Sequence, residues 1–463
     1  MKKISITLED LFNLPTARIY NPDFFKNLHS VSIDTRTMKK GSLYIAIKGE
    51  KFDGHNFIAD AVHKGVGAVV INQRSLGNFD KVDLPIITVA DTKKSLGELA
   101  KIWRSKLNAK VIALTGSNGK TTTKEILISL LSEKYKVIGT KANNNNDIGV
   151  PLTIFDADSK TDMLVLELGT NHFGEIAYTA EIAQPDIALI TNIGESHLEF
   201  LTNFEGVLTE KKALYSVTNK RNGTILINAD DPRLNSLKKE YKASSSFGLK
   251  KNATVTGKIL SVDSIGKTKL SISYAGKKKE FRLPLYGESN AKNFLAASAI
   301  ALSCGLSLSE IERGLKKINA VKQRLDVAEF KKMILIDDTY NANPLSMRAS
   351  IELLHTINKY SRKIALLGDM FELGKEASQL HKELAEYLVK NKINEVYLTG
   401  DLMKSLYGEL KKTVIKVKYF KERNKLAEYL NTTNIMNCVV LVKGSRGMKM
   451  EEFVTIIKGM QSK

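Results

Sequence analysis

The sequence predicts an α/β protein of three domains, two of them built on mostly parallel sheets. Three observations carry that expectation. Short continuous apolar runs recur through the middle and final parts of the chain, as suits strands buried on both faces. Glycine turns and amphipathic stretches separate them, which is βαβ alternation. The 463 residues are also too many for one ordinary domain.

Residues 1–107 read as a small mixed α/β unit. SLYIAIKG (42–49) alternates like a strand, AVVINQ and PIITVAD supply two more, and SLGELAKIWRSKL is a helix leading onward. In the central unit, 108–318, the strands are VIALTG (111–116), MLVLELG (163–169), IALITNIG (187–194) and TILINADD (224–231). The segment 253–283 alternates and reads as a β-hairpin insert, and NAKNFLAASAIALSCG (290–305) as a helix stopped by glycine. The third unit, 319–463, follows a lysine-containing connector near 316–322. There MILIDD (333–338), KIALLGDM (363–370), EVYLTG (395–400) and CVVLVKG (438–444) alternate with helices such as SQLHKELAEYLVKN, a Rossmann-like series.

Composition narrows the function classes. With 43% hydrophobic and 26% charged residues, the chain has the mix of a soluble globular protein. No run approaches the roughly 18 apolar residues of a membrane span. The opening MKKISITLEDLF lacks an apolar core and is interrupted by Glu9 and Asp10, so it is no secretory signal. Cys304 and Cys438 sit in apolar surroundings, fitting a reducing, cytoplasmic compartment. Seventy Lys+Arg against fifty Asp+Glu give a net charge of +20, but Lys39-Lys40, Lys277 to Lys279 and Lys331-Lys332 are short groups scattered along the chain. That speaks against a nucleic-acid partner; the charge reads first as solvated surfaces of a lysine-rich protein, and the sharper alternative is attraction of polyanionic small substrates.

The chemistry is concentrated in ALTGSNGKTTTK (113–124), directly after a strand and opening a helix. Glycines let the backbone approach phosphate oxygens, N–H groups converge at the helix N-terminus, a lysine reaches the terminal phosphates and a hydroxyl meets Mg²⁺. Thr115, Gly116, Ser117, Asn118, Gly119, Lys120, Thr121 and Thr122 are the candidates. Leu114 stands where the outer glycine of a Walker A motif would be. The motif implies a nucleoside triphosphate, and with it magnesium. Glu167 and His197, each at or just past a strand end, are candidate metal ligands.

TGSNGKTTTK, DIGVPLT (147–153), LELGTNHFGEI (166–176) and NIGESHLEFL (192–201) together resemble the central ATPase domain of the Mur ligases, the cytoplasmic amide ligases of peptidoglycan precursor synthesis. DTRTMKKGSLYIAIKGEKFDGHNF (34–57), IDDTYNANPLSM (336–347), LLGDMFELG (366–374) and LVKGSRGMKME (441–451) resemble the branch that adds D-alanyl-D-alanine. The resemblance runs from about residue 30 to 452. It implies an N-terminal UDP-sugar domain, a central ATPase and a C-terminal domain for the incoming amine, in a monomer. The tripeptide carboxylate of UDP-MurNAc-tripeptide would attack ATP to give an acyl phosphate, which the amine of D-Ala-D-Ala then attacks.

Residue by residue, the resemblance makes Lys120, His197 and Lys211 the catalytic set. Thr121 and Glu167 would hold the nucleotide Mg²⁺, and His197 with Glu167 and a carbamylated Lys211 a second one. Lys212 adjoins Lys211, so spacing from His197 is what selects between them. Asn293 would contact the base, with Ser289 where the family usually has His, and Arg324 and Asp338 would reach the phosphate and ribose. Tyr340, Asn341 and Asn343 would contact nucleotide or D-Ala-D-Ala, or simply shape an Asx turn. Thr35 and Arg36 are the uridine-diphosphate candidates; Asn143, Asn145 and Asn146, with Asp147, would line the muramyl-peptide channel. Alternatives within the superfamily, a diamino-acid-adding ligase or a folylpolyglutamate synthetase, are disfavoured by the C-terminal strings. A P-loop regulatory ATPase would need coupling elements that do not stand out.

Overall fold

The computed structural model describes residues 4–78, 83–241, 244–249 and 252–461. Among them are three sheets, of five, nine and six strands. The first runs Arg18–Tyr20, Ile86–Val89, Ala68–Asn72, Leu43–Ile45, Val31–Ser32, parallel except at the Arg18–Tyr20 edge. Helix Thr92–Ser105 leads out of it, its N-terminus capped by Asp91, whose carboxylate accepts from the N–H groups of Lys93 and Lys94.

The central sheet places Lys110–Thr115 between Met163–Glu167 and Ile187–Ile190, all parallel. Strand order reverses direction at that point, so the carboxyl ends of these strands frame a crevice. Every residue of Met163–Glu167 and Ile187–Ile190 is buried, as their unbroken apolar runs require. Thr224–Asn228 and Ser244–Gly248 extend the parallel part. The expected hairpin insert is larger than its alternation suggests. Val255–Val262, Lys267–Tyr274 and Lys277–Tyr286 form a three-stranded meander that continues the same sheet to its edge. The third strand is easily overlooked because Lys277–Lys279 open it, a charged start that blunts an exposed sheet edge. The expected helix at 290–305 begins earlier, at Gly287, and ends at Ser303.

The third sheet runs Asp326–Phe330, Met333–Asp338, Cys438–Lys443, Arg362–Gly368, Glu395–Thr399, Lys416–Phe420; only the first pair is antiparallel. Asp338 and Lys443 are opposite one another at the carboxyl edge. Both cysteines are buried and free. No helix among the described residues is long and apolar enough to cross a membrane.

Candidate active site

The carboxyl edges of the second and third sheets face each other across a cavity of about 1330 Å³. Its floor is the loop between Lys110–Thr115 and helix Lys120–Leu131. That helix is preceded by Gly119, in the left-handed region at φ 80, and no side chain among the described residues caps its first N–H groups. Such an uncapped N-terminus on a cavity wall can receive an anion. The loop is pinned from behind. Ser117 N–H donates to the Asn192 carbonyl and Asn118 N–H to Asn192 Oδ1, both at 3.0 Å, while Thr191 Oγ1 donates to the Asn118 carbonyl at 2.6 Å. Ser117 Oγ exchanges hydrogen bonds with the Gly194 backbone.

Two glycines are required here by geometry. A Cβ on Gly116, at φ 147, would lie 1.9 Å from Thr191 Oγ1, and one on Gly119 would lie 2.3 Å from Asn293 Oδ1. Gly119→Ala combines that clash with a left-handed backbone and is expected to destabilise the fold by roughly 1–3 kcal/mol. It should also weaken binding of a non-hydrolysable ATP analogue by about tenfold or more, the equivalent of ~1.4 kcal/mol. Calorimetric titration beside a thermal melt checks both.

Lys120 curls over its own loop, Nζ donating to the Gly116 carbonyl at 2.7 Å. Burial holds its ammonium below the ordinary lysine range; Glu167 opposes that shift and Arg324 adds to it. Thr121 Oγ1 donates to Glu167 Oε1 at 3.2 Å, and Asn145 Nδ2 to the same oxygen at 3.0 Å. The other oxygen, Oε2, is buried with no hydrogen-bond partner among the described residues. A buried carboxylate oxygen in that condition is costly unless a cation takes it. Behind Glu167 stands a support that the sequence did not reveal. Fully buried Lys124 donates through Nζ to the Thr140 carbonyl, and Thr140 Oγ1 accepts the Glu167 N–H at 3.0 Å.

Lys211 is 1% exposed. Burial brings its amine down to about 7, with the Lys120 charge acting in the same direction and Glu210 against it. Glu210 itself is committed elsewhere, accepting from Thr170 Oγ1, Gly174 N–H and Ile176 N–H at the start of helix Glu175–Ala183. Lys212 points outward and pairs with Glu240 at 2.6 Å, so of the two neighbours Lys211 is the one in the interior. His197, at φ 54, places Nδ1 2.6 Å from Glu372 Oε2 of the third sheet's unit. Among the described residues no three His, Cys, Asp or Glu side chains stand close enough to hold a metal by themselves.

The remaining candidates divide. Thr122, Asn143, Asn146, Asn293, Arg324, Asp338, Tyr340, Asn341 and Asn343 line the cavity, as does Ser289. Phe247, Leu295 and Ala296 give an apolar lining in the same cavity as Asn293. The Arg324 guanidinium lies 3.9 Å from the Tyr340 ring centroid. The Asp338 carboxylate is already engaged by Ser350 Oγ at 2.6 Å, Leu325 N–H at 3.0 Å and Lys443 Nζ. Its immediate task is to hold Lys443 at the cavity wall. Asn343 caps helix Pro344–Thr356 and exchanges two 3.0 Å amide hydrogen bonds with Asn118, joining the two units. Asp147 pairs with Lys93 at 2.7 Å. Thr115 and Gly116 lie under the loop, Thr115 fully buried. Thr35 and Arg36 are not brought to this cavity. Thr35 is buried, with its hydroxyl on Asp60, and Arg36 folds back on Asp34, Nη2 to Oδ2 at 2.6 Å. That contact keeps the Asp34 carboxyl down at about 2.

Sequence models of three kinds match the chain in order. They are the Mur ligase family catalytic domain at 27–104, the Mur ligase middle domain at 114–301 and the Mur ligase glutamate ligase domain at 323–446. The chain belongs to the Mur ligase family. The UDP-N-acetylmuramoyl-tripeptide–D-alanyl-D-alanine ligase of Haemophilus influenzae is 37% identical over 445 residues, 93% of this chain and 94% of that one. Its Bacillus subtilis counterpart is 33% identical, covering 97% and 98%. Among solved Mur ligases, a crystal structure of MurF from Acinetobacter baumannii superposes with a TM-score of 0.87 at 30% identity over 100% of both chains. MurF of Thermotoga maritima in complex with ADP gives 0.83 at 28% identity, covering 94% of this chain and 98% of that one.

Proposed function

We propose that this Mur ligase joins D-alanyl-D-alanine to UDP-N-acetylmuramoyl-tripeptide, converting ATP to ADP and phosphate, in cytoplasmic peptidoglycan precursor synthesis. The observation that carries the reading is the meeting of an uncapped helix N-terminus, Lys120 and Glu167 with the Arg324–Asp338–Lys443 edge of the third sheet around one cavity. A two-substrate ligase needs such a joint site, because the phosphorylated acyl group and the incoming amine must be held together.

In the first step the tripeptide carboxylate oxygen bonds to the γ-phosphorus while the bond to the β-phosphate oxygen breaks, releasing ADP. In the second, the dipeptide amine attacks the acyl carbon, loses a proton and expels phosphate. Neither step asks the protein for covalent chemistry, so positioning and charge neutralisation do the catalysis. The loop N–H groups and Lys120 meet the phosphates, and Arg324 adds a second cation from the third unit. Asn293, with the apolar wall of Phe247 and Leu295, suits the base. Asn143, Asn145 and Asn146 offer amides to the muramyl peptide. Tyr340, Asn341 and Asn343, on the same cavity, are our candidates for contact with the nucleotide or the D-Ala-D-Ala, and Thr35 and Arg36, in the first unit, for the uridine diphosphate.

Magnesium, when bound, supplies positive charge across the phosphate oxygens. Thr121 Oγ1 and Glu167 fit one ion, for the free Glu167 Oε2 is a ready oxygen donor and magnesium is ordinarily held by one or two carboxylates plus phosphates. Glu167, His197 and Lys211 would hold a second, provided Lys211 is carbamylated into an oxygen donor.

Phosphate release is expected only when UDP-MurNAc-tripeptide and D-Ala-D-Ala are both present with ATP. Assays that replace the dipeptide in turn by glutamate and by diaminopimelate test it. Equal turnover with either amino acid would overturn the assignment.

A further inference from the structure

His197 and Glu372 meet across two units of the fold, and both are strained. His197 follows strand Ile187–Ile190 of the central sheet; Glu372 follows strand Arg362–Gly368 of the third. Neither is glycine, yet their φ angles are 54 and 62. Such backbone is held only where its surroundings over-determine it. Here the loop carrying Glu372 is tied at several points. Met370 N–H donates to Nε2 of buried His381 at 3.0 Å, and Phe371 N–H to Ser445 Oγ at 2.8 Å. Glu199 N–H, two residues past His197, donates to the Glu372 carbonyl at 3.1 Å.

The side-chain contact has a chemical consequence. An ionised carboxylate only accepts, so at 2.6 Å the His197 Nδ1 must be the donor. A neutral ring protonated at Nδ1 keeps Nε2 as its lone-pair nitrogen, the form an imidazole needs in order to ligate a cation.

We propose that Glu372 is a positioning residue: supplied by the third unit, it fixes the ring orientation and the Nδ1–H tautomer of His197, so that the catalytic centre is complete only when the third unit is docked on the central one. The inference rests on the ligase reading for its consequence in turnover, but the tautomer can be read without substrate, nucleotide or metal.

The test uses the full chain with ¹⁵N-labelled histidine. Long-range proton–nitrogen spectra report the ring tautomers, and His197→Gln identifies the His197 signal by its loss. Wild type should show Nδ1–H at His197. Glu372→Gln, whose amide oxygen still accepts, should keep it. Glu372→Ala, and Glu372→Asp with its side chain one methylene short, should shift it toward Nε2–H. In ligation the Ala and Asp variants should lose about 10–100-fold in kcat with the KM for ATP little changed, and the Gln variant should recover most of that loss. If Glu372→Ala fails to fold, Glu372→Asp carries the same two readouts. An unchanged Nδ1–H signal in the Ala or Asp variant, or kcat at the wild-type level, would overturn the proposal. A wild-type chain that gives the Nδ1–H signal yet never ligates would instead sink the functional reading.

Discussion

Lys120→Ala is expected to fold, bind UDP-MurNAc-tripeptide and lose ligation by on the order of 10²–10³ in kcat, the usual cost of removing one preorganised stabiliser of developing charge. The side chain sits at the start of helix Lys120–Leu131, against the backbone that would cradle the phosphates. Among the described residues its Nζ makes one hydrogen bond, to the Gly116 carbonyl, so losing that bond costs about 1 kcal/mol of stability. Burial disfavours its charge, so an anion bound at this loop would favour the ammonium form. Lys120→Arg should be nearly as inactive, because a planar fork cannot replace a point charge in a loop this closely packed. Initial-rate kinetics on both variants, with a thermal melt and a binding titration of the UDP-substrate, separate chemistry from folding. Near-normal turnover in a well-folded Lys120→Ala would remove the loop from the phosphate site.

How much of this was legible in the sequence depends on the range of the interaction. The buried strands show as continuous apolar runs, and the structure puts Met163–Glu167 and Cys438–Lys443 almost where those runs lie. The glycine loop 116–119 shows because a local constraint, glycine at close backbone approach, writes itself into adjacent positions. What the sequence hid is non-local. Glu372 lies 175 residues from His197, and nothing in either string requires the other. Lys124 closes the motif ALTGSNGKTTTK with no role assigned to it, and only burial against the Thr140 carbonyl marks it as a support for Glu167. Asp338 stands on a strand end as a resemblance would have it, but which donors its carboxylate has already taken depends on Ser350 and Lys443, on other elements. Short strands such as Val137–Gly139 and Asp326–Phe330 lack a long apolar run and escape the pattern altogether.

Lys211→Ala should likewise abolish ligation, by on the order of 10²–10³ in kcat, and short carboxylic acids such as acetate should restore part of it. The argument begins with burial. An ammonium 1% exposed and beside Lys120 is disfavoured, and its pKa falls to about 7, against about 10.4 for an ordinary lysine. Near neutrality a large share of the amine is therefore unprotonated, and only that form attacks carbon dioxide to make a carbamate. The product is an anion with oxygen donors, of the kind a hard dication takes and an ammonium cannot supply. Lys212, paired with Glu240 and held above its ordinary pKa mainly by that bond, has neither the burial nor the free amine to compete. The sign of the pH effect follows. In unmodified chain the unfolded state binds the extra proton between the folded and unfolded pKa values, so stability rises with pH from about 7 toward the ordinary lysine range. Lys211→Met should flatten that rise in urea titrations between neutral and alkaline pH. Rescue by amines in place of acids, or full activity in Lys211→Ala, would leave the carbamate without support; Lys212→Ala, the internal control, should ligate at close to the wild-type rate.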